Sequence, residues 1–242
     1  MVAVINFGGQ FAHLIARRVR ELGVKSELFS PDVSIATLNQ LKTQAIILSG
    51  SPYSVYEKDS PKPNSKIYDL QIPILGICYG LQLIANHYNT KVISYEQKQF
   101  GKETIKTKPS LLFSGLNREE KVWFSHGDQV NRIPKGFKVI ESSKNSKIAG
   151  IENYKKKVFG IQFHPEVTHT EKGKIVLSNF LFSLSDKSFL YVSIFESFLV
   201  LYVALSDLSF MSRRNLRNES STSKTTSFFG LLFPFFILYF II

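Results

Sequence analysis

Cysteine is scarce in this sequence, and its scarcity narrows where the protein can work. Cys78 is the single cysteine among 242 residues, so no intrachain disulfide can form. A reducing compartment is the natural environment of a free thiol. The amino terminus begins directly with an apolar run, residues 2–5, and lacks the charged and apolar regions of a signal peptide. We therefore expect a cytoplasmic protein.

Acidic residues are also in short supply. The chain has 19 Asp and Glu against 30 Lys and Arg, which gives a formal net charge of +11. Nucleic-acid-binding surfaces cluster such charge and interleave it with aromatic side chains, whereas the lysines here are scattered. The densest group, residues 155–157, is interpreted as a solvated turn. We expect no nucleic-acid partner, although a basic surface favours anionic substrates or an acidic protein partner.

Long uninterrupted hydrophobic runs are lacking too, even in the unusual last part of the chain. Residues 183–242 are rich in Phe, Leu and Ser. The run 188–210 has the length of a membrane span but contains Glu196 and Asp207, and a central Asp costs about 2.5–3.5 kcal/mol on insertion. The run 228–242 falls short of the ~17–25 residues of a span. We interpret 183–242 as a tail outside the globular unit, read out of frame after a deletion, with a membrane anchor as the alternative.

Residues 1–182 alternate apolar strands with amphipathic helices at the spacing of βαβ units. Beyond residue 91 the pattern changes to shorter extended runs separated by turn residues, which is typical of antiparallel strands. The sequence predicts an α/β fold: an open, mostly parallel twisted sheet with helices on both faces and a smaller antiparallel portion. The predicted strands are 2–5, 24–29, 45–48, 73–78, 92–95, 103–107, 121–124, 137–142 and 158–163, and the predicted helices are 10–22, 34–41, 79–88 and 170–182.

The cysteine lies where a strand turns into a helix. Residues 73–82 read Pro-Ile-Leu-Gly-Ile-Cys-Tyr-Gly-Leu-Gln, an apolar run followed by Gly-x-Cys-x-Gly. A nucleophile elbow is built in this way, because small residues flank a sharp turn that exposes the nucleophile. A cysteine is otherwise commonly a buried, inert side chain. The catalytic interpretation of Cys78 therefore requires a base elsewhere in the chain.

A base and a carboxylate follow the last predicted strand, in the sequence His164-Pro165-Glu166. Proline biases the residue before it towards an extended backbone, and residues two apart in an extended chain project to the same side. Glu166 can therefore orient His164, and His164 can exchange a proton with Cys78, as in catalytic triads. We predict a triad of Cys78, His164 and Glu166.

Acyl transfer also needs donors for the oxyanion of the tetrahedral intermediate. The backbone N–H of Tyr79, directly after the nucleophile, is one candidate. The turn 50–52 follows the third predicted strand and supplies the other through Ser51. Gln82 lies four residues after Cys78 on the same helix face, where its amide can bind a polar substrate. A merely surface-facing glutamine is the alternative.

These residues resemble the class I glutamine amidotransferases over about residues 2–182. Cys78, His164 and Glu166 match the nucleophile, base and orienting carboxylate of that family, and Gly-Ile-Cys-Tyr-Gly-Leu-Gln is similar to its elbow. Longer strings are similar, more narrowly, to the glutaminase domain of GMP synthetases. These strings are Asn-Phe-Gly-Gly-Gln at 6–10, Leu-Ile-Ala-Arg-Arg-Val-Arg-Glu-Leu-Gly at 14–23, Trp-Phe-Ser-His-Gly-Asp at 123–128 and His-Pro-Glu-Val-Thr-His-Thr at 164–170.

The resemblance implies a reaction. Cys78 would attack the side-chain amide of L-glutamine, release ammonia and leave a γ-glutamyl thioester for water to hydrolyse. Ser125, His126 and Gly127 match the segment that helps to hold the glutamine. Neither a cofactor nor a metal is implied for glutamine hydrolysis.

Three residues depart from the family pattern. Asn6 stands where the family usually has Asp, and Tyr53 stands where it usually has Glu. Ser51 replaces the usual second glycine of a Gly-Gly-Pro turn. Its N–H is retained, but a serine would be strained there if the turn required a positive φ.

The ATP pyrophosphatase domain of single-chain GMP synthetases has no counterpart in the sequence. Neither its Ser-Gly-Gly-x-Asp-Ser loop nor a Gly-x-x-x-x-Gly-Lys-Ser/Thr loop occurs. The resemblance therefore implies that a separate synthetase subunit, which would need ATP and Mg, uses the ammonia to aminate XMP to GMP.

Two other functions are compatible with the residues. The first is a truncated, inactive remnant or binding module of a GMP synthetase, which the three departures and the tail favour. The second is a related enzyme serving another acceptor, such as anthranilate or carbamoyl phosphate synthesis. The strings at 123–128 and 164–170 argue against the second.

Overall fold

The computed structural model describes residues 1–183, which form one mixed sheet flanked by helices. The strands are β1 (Val2–Ile5), β2 (Ser26–Phe29), β3 (Ala45–Leu48), β4 (Ile74–Ile77), β5 (Val92–Thr107), β6 (Glu119–Val130), β7 (Lys138–Ser143), β8 (Gly150–Asn153) and β9 (Val158–Ile161). The α-helices are α1 (Ala12–Glu21), α2 (Ile35–Gln40), α3 (Tyr79–His87) and α4 (Gly173–Ser183). Short 3-10 helices occur at Ser65–Asp69 and Leu111–Phe113.

The sheet has a parallel half and an antiparallel half. Its strand order is β2-β1-β3-β4-β9-β8-β7-β5-β6. The first five strands in this order pair in parallel, and the remaining pairings are antiparallel. Because β4 lies between β3 and β9, the carboxyl ends of these three strands meet at one edge, where sites in such sheets form. The predicted fold class is confirmed.

Helices cover both faces of the sheet. Side chains alternate between the faces of a strand, so Val2 and Val4 of β1 contact one apolar cluster and Ala3 and Ile5 contact the other. The first cluster includes buried residues of α1 and α4, and the second includes those of α2 and α3. Burial of apolar area, at roughly 25 cal/mol per Å², stabilises this arrangement.

The helix boundaries follow from local sequence. The Ser34 side chain accepts a hydrogen bond from the N–H of Thr37 and caps α2. Helix α1 ends just before Gly23, whose φ of +78° suits a residue without a side chain. Helix α4 begins three residues later than predicted, because the hydroxyl of Thr170 donates to the carbonyl of His164 and holds that loop outside the helix.

The strand predictions for the antiparallel half were incomplete in two places. The predicted strands 92–95 and 103–107 form a single strand, β5, whose register with β6 shifts between Ser94 and Gln99. An irregularity of this kind breaks the alternation that marks a strand in sequence. Strand β8 was not predicted, because it has four residues and two of them, Glu152 and Asn153, are polar although they are buried.

No helix within residues 1–183 combines the length and the hydrophobicity that crossing a membrane requires. The interpretations of the tail concern residues that, after Ser183, lie outside the described part of the chain.

Candidate active site

Cys78 occupies a strained turn between β4 and α3. Its backbone has φ 55° and ψ −105°, a conformation that is unfavourable for a residue with a side chain. The neighbouring glycines allow the turn to pack. A Cβ on Gly76 would lie 2.4 Å from the backbone of Gly80, and a Cβ on Gly80 would lie 2.3 Å from the carbonyl oxygen of Leu48. The elbow predicted from Gly-x-Cys-x-Gly is present.

The sulfur of Cys78 has polar neighbours although the residue is only 4% exposed. The thiol donates to the carbonyl of Ser125 over 3.6 Å, and Nε2 of Gln162 donates to the sulfur over 3.6 Å. Cys78 also lies near enough to His164 to contribute to the raised pKa of that imidazole. Gln162 was missed in the sequence, although it precedes His164 by two residues in an extended segment and so projects to the same side.

His164 is held by groups on both sides of its ring. Nδ1 lies 2.7 Å from Oε1 of Glu166, so Nε2 is the ring nitrogen left for Cys78. The backbone N–H of His164 donates to the carbonyl of Trp123, and its carbonyl accepts from the hydroxyl of Thr170. These contacts fix the ring between the carboxylate and the thiol. The three residues predicted as a triad lie in the order that the prediction required.

Electrostatics favour the protonated form of His164. Burial by itself would lower its pKa, but the adjacent Glu166 carboxylate and the nearby Cys78 side chain raise the pKa to about 10. The pKa of His126 is shifted in the opposite direction. Burial lowers its pKa to about 4, and the positive charge at His164 acts in the same direction. Two histidines close to one another therefore take different protonation states.

A cavity of about 660 Å³ opens beside the sulfur, which is ample for an amino acid. Predicted site residues form much of its wall: Ser51, Cys78, Tyr79, Gln82, Ser125, His126, Gly127 and His164. Glu166 is not part of the wall, because it is fully buried behind His164. The structure therefore brings all the predicted residues to one site and separates the orienting carboxylate from the substrate space.

Two backbone N–H groups beside the cavity are candidate oxyanion donors. Within residues 1–183 neither Ser51 nor Tyr79 has an acceptor for its N–H; the first turn of a helix leaves such donors free. The turn lies close to Cys78 and His164, since a Cβ on Gly50 would be 3.8 Å from Cβ of Cys78 and 3.2 Å from Cε1 of His164. The residues with positive φ do not include Ser51, so the strain considered for this serine does not arise.

The remaining predicted residues have specific contacts. Gln82 is buried, and its Nε2 donates to the carbonyl of Asp128, so the surface-facing alternative is wrong. Nδ1 of His126 donates to the same carbonyl over 2.9 Å, which leaves its Nε2 as a buried acceptor without a partner in residues 1–183. Asn6 accepts a hydrogen bond from the N–H of Gly8, and Tyr53 lies at the cavity rim and is 48% exposed.

Asp128 is a cavity residue that the sequence interpretation did not single out. It is 8% exposed, and one carboxylate oxygen accepts a hydrogen bond from the hydroxyl of Tyr56. Within the described residues it has no ion pair. Its position at the end of the Ser-His-Gly-Asp string was the available signal. A buried carboxylate in a cavity calls for a cationic group in the ligand.

Comparison with known proteins agrees with this geometry. The family model for Glutamine amidotransferase class-I matches residues 3–184, and the chain belongs to this family. It is 45% identical over 189 residues to a GMP synthase (glutamine-hydrolyzing) of Natranaerobius thermophilus, an alignment that covers 78% of this chain and 37% of that protein. The corresponding enzyme of Aquifex aeolicus is 46% identical over 184 residues, covering 76% and 36%.

One solved structure is similar to this chain over nearly the whole of its own length. It is a candidate GMP synthase subunit from Thermoplasma acidophilum, which is 31% identical with a TM-score of 0.65. The alignment covers 74% of this chain and 90% of that one. In contrast, the chain spans little more than a third of the length of the two GMP synthases.

Proposed function

We propose that this chain hydrolyses L-glutamine to glutamate and ammonia through a thioester on Cys78, and that the ammonia serves the amination of XMP to GMP. The observation that carries the proposal is the placement of Cys78 and His164 in the wall of one amino-acid-sized cavity, with the His164 ring hydrogen-bonded to the buried Glu166. An inactive remnant would have no need to retain a strained backbone at Cys78.

The first half of the reaction forms the thioester. The thiol of Cys78 gives its proton to Nε2 of His164. The resulting thiolate attacks the carboxamide carbon of glutamine. The oxygen of the tetrahedral intermediate becomes negative and accepts hydrogen bonds from the N–H groups of Ser51 and Tyr79. His164 then gives its proton to the amide nitrogen, the carbon–nitrogen bond breaks, and ammonia leaves.

The second half returns the enzyme to its starting state. Neutral His164 removes a proton from water, and the resulting hydroxide attacks the thioester carbon. The intermediate collapses with cleavage of the carbon–sulfur bond, which releases glutamate and restores the thiolate. The Glu166 carboxylate stabilises the imidazolium that forms twice in the cycle. We propose that this hydrolysis needs no cofactor.

The α-ammonium end of the glutamine would bind to cavity residues at a distance from the thiol. Gln82 follows Cys78 by one helical turn, roughly 6 Å of rise, and its side chain holds the backbone of Asp128. In glutamine the α-nitrogen is four bonds of about 1.5 Å from the attacked carbon. The Asp128 carboxylate is therefore suited to the α-ammonium group, while Ser125, His126 and Gly127 line the space between.

The ammonia requires a second catalytic unit. The relatives named as GMP synthases are almost three times as long as the part aligned with this chain. We propose that an ATP pyrophosphatase unit, using ATP and Mg, receives the ammonia, and that both act in the cytoplasm, where a free catalytic thiol remains reduced.

Glutamate release from glutamine by the full chain tests the proposal, with Cys78→Ala as the control. The assay is run alone and with the ATP pyrophosphatase unit of a GMP synthase, together with ATP and XMP. We expect release that depends on Cys78, and GMP formation when the synthetase is present. Equal rates for wild type and Cys78→Ala in both conditions would refute the proposed function.

A further inference from the structure

We propose that the hydroxyl group of Ser51 is a positioning group that holds the second oxyanion donor in place. This inference deepens the proposed function and rests on it. It concerns the side chain of Ser51, whereas the oxyanion itself would bind the backbone N–H of the same residue. The connection runs through Phe7, in the loop that follows β1.

Two serines hold the backbone of Phe7. The hydroxyl of Ser51 donates to the Phe7 carbonyl over 2.8 Å, and the N–H of Phe7 donates to the hydroxyl of Ser49 over 3.1 Å. Both polar groups of one buried residue are thus satisfied by side chains from the turn after β3. The N–H of Tyr53 donates in turn to the Ser51 hydroxyl over 3.3 Å. This second hydrogen bond fixes the rotamer of the Ser51 side chain.

The two loops are also in direct backbone contact. A Cβ on Gly9 would lie 2.4 Å from the carbonyl oxygen of Gly50 and 3.3 Å from the nitrogen of Ser51. No side chain fits between the loops at this point. A movement of the loop after β1 therefore moves the peptide that carries the oxyanion donor.

Phe7 connects this turn to the other donor as well. Its ring is 1% exposed and packs against the ring of Tyr79 with centroids 5.6 Å apart. The backbone of Phe7 is thus fixed to Ser51 and its side chain to Tyr79, the two residues proposed as oxyanion donors. The separation between the donors depends on this one residue and on the hydroxyl that holds it.

Removal of the hydroxyl breaks this connection without removing either donor. In Ser51→Ala the Phe7 carbonyl and the Tyr53 N–H lose their partner, and the turn is free to shift relative to Tyr79. Because oxyanion donors act in the transition state, a displacement lowers kcat rather than raising KM. We expect kcat to fall about tenfold, less than the ~10²–10³ lost when a donor is removed entirely.

The test compares Ser51→Ala, Ser51→Thr and Ser26→Ala in the full chain. Threonine keeps the hydroxyl and should restore kcat to within about threefold of wild type. Ser26 is the matched control, because its buried hydroxyl also donates to a carbonyl, that of Ala16, over 2.7 Å, but far from the site. Ser26→Ala should lower the urea midpoint and leave kcat unchanged. An unchanged kcat in Ser51→Ala, or an equal loss in Ser51→Thr, overturns the inference.

A second readout does not depend on turnover of glutamine. Cys78 is the single cysteine, so its alkylation can be followed by mass. An amino-acid chloromethyl ketone analogue of glutamine develops an oxyanion during attack, whereas iodoacetamide does not. Ser51→Ala should react about tenfold more slowly with the chloroketone and at the wild-type rate with iodoacetamide.

The two readouts separate the possible failures. Wild-type turnover with unchanged Ser51→Ala kinetics contradicts the positioning role alone. Absence of turnover together with the selective chloroketone effect contradicts the proposed hydrolysis but supports the positioning role. Equal chloroketone rates in wild type and Ser51→Ala overturn the inference.

Discussion

Nδ1 of His164 lies 2.7 Å from Oε1 of Glu166, and both side chains are almost completely buried. The second oxygen of Glu166 has no hydrogen-bond partner within residues 1–183. Removing an ion pair from water is costly, and a hydrophobic pair of similar size is often as stable. The pair is therefore better explained by the proton that His164 holds in the proposed reaction than by the stability of the fold.

Replacement of Glu166 by glutamine should slow the reaction strongly. The amide keeps the size of the side chain but removes the charge that raises the pKa of His164. We expect kcat to fall by about 10²–10⁴, the usual contribution of general acid–base catalysis. Glu152→Gln is the control, because Glu152 is a buried carboxylate paired with Lys138 at 2.8 Å outside the site. Wild-type kcat in Glu166→Gln would exclude the orienting role.

The same pair should make stability depend on pH. Folding raises the pKa of His164 from 6.5 to about 10. The stabilisation is fully present below pH 6.5, where the folded and unfolded states are both protonated, and it is lost as the pH rises through about 10. In urea unfolding experiments across this pH range, the free energy of unfolding should decrease less with rising pH for Glu166→Gln than for wild type. Parallel curves for the two proteins would contradict this assignment.

The strain at Cys78 should be visible in the stability of the elbow. Residues with side chains in sparsely populated regions cost about 1–3 kcal/mol, and Cys78 has φ 55° and ψ −105°. Cys78→Gly removes the strain, whereas Cys78→Ala keeps it. We expect Cys78→Gly to be more stable by about 1 kcal/mol, after the entropic cost of glycine is subtracted. The urea midpoints decide this, and a more stable Cys78→Ala would indicate a relaxed turn.

Replacement of Asp128 by asparagine should affect binding more than chemistry. A hydrogen bond to a charged group contributes roughly 1.5–3 kcal/mol, so KM for glutamine should rise about 10- to 100-fold. For the glutamine analogue that lacks the α-amino group, the substitution should change KM much less. Tyr56→Phe is the control for the hydrogen bond that Asp128 accepts from Tyr56. If the substitution changes KM equally for glutamine and for its des-amino analogue, Asp128 does not bind the ammonium group.

The parallel half of the fold could be predicted from the sequence, because β1, β3, β4 and β9 are short apolar runs with clear turn residues between them. The antiparallel half was harder to predict from the sequence. The register shift between Ser94 and Gln99 hid the continuity of β5, and the buried polar residues Glu152 and Asn153 hid β8. Pairing with neighbouring strands, which a local pattern does not contain, determines both elements.

The grouping of Cys78, His164 and Glu166 at one site could be predicted, because the Gly-x-Cys-x-Gly turn and His-Pro-Glu are local sequence features. The contacts of Phe7, Gln162 and Asp128 were not predicted. These residues act through contacts between segments far apart in the chain, such as the hydrogen bond from Ser51 to Phe7. Only the fold brings such partners together.

Capture of the acyl-enzyme tests the central claim most directly. A thioester on Cys78 should react with hydroxylamine as well as with water, so the wild-type chain should convert glutamine and hydroxylamine into γ-glutamyl hydroxamate, with a matching decrease in glutamate. Cys78→Ala should form none. Glutamate release that is insensitive to hydroxylamine, or hydroxamate formed equally by Cys78→Ala, would contradict covalent catalysis by Cys78.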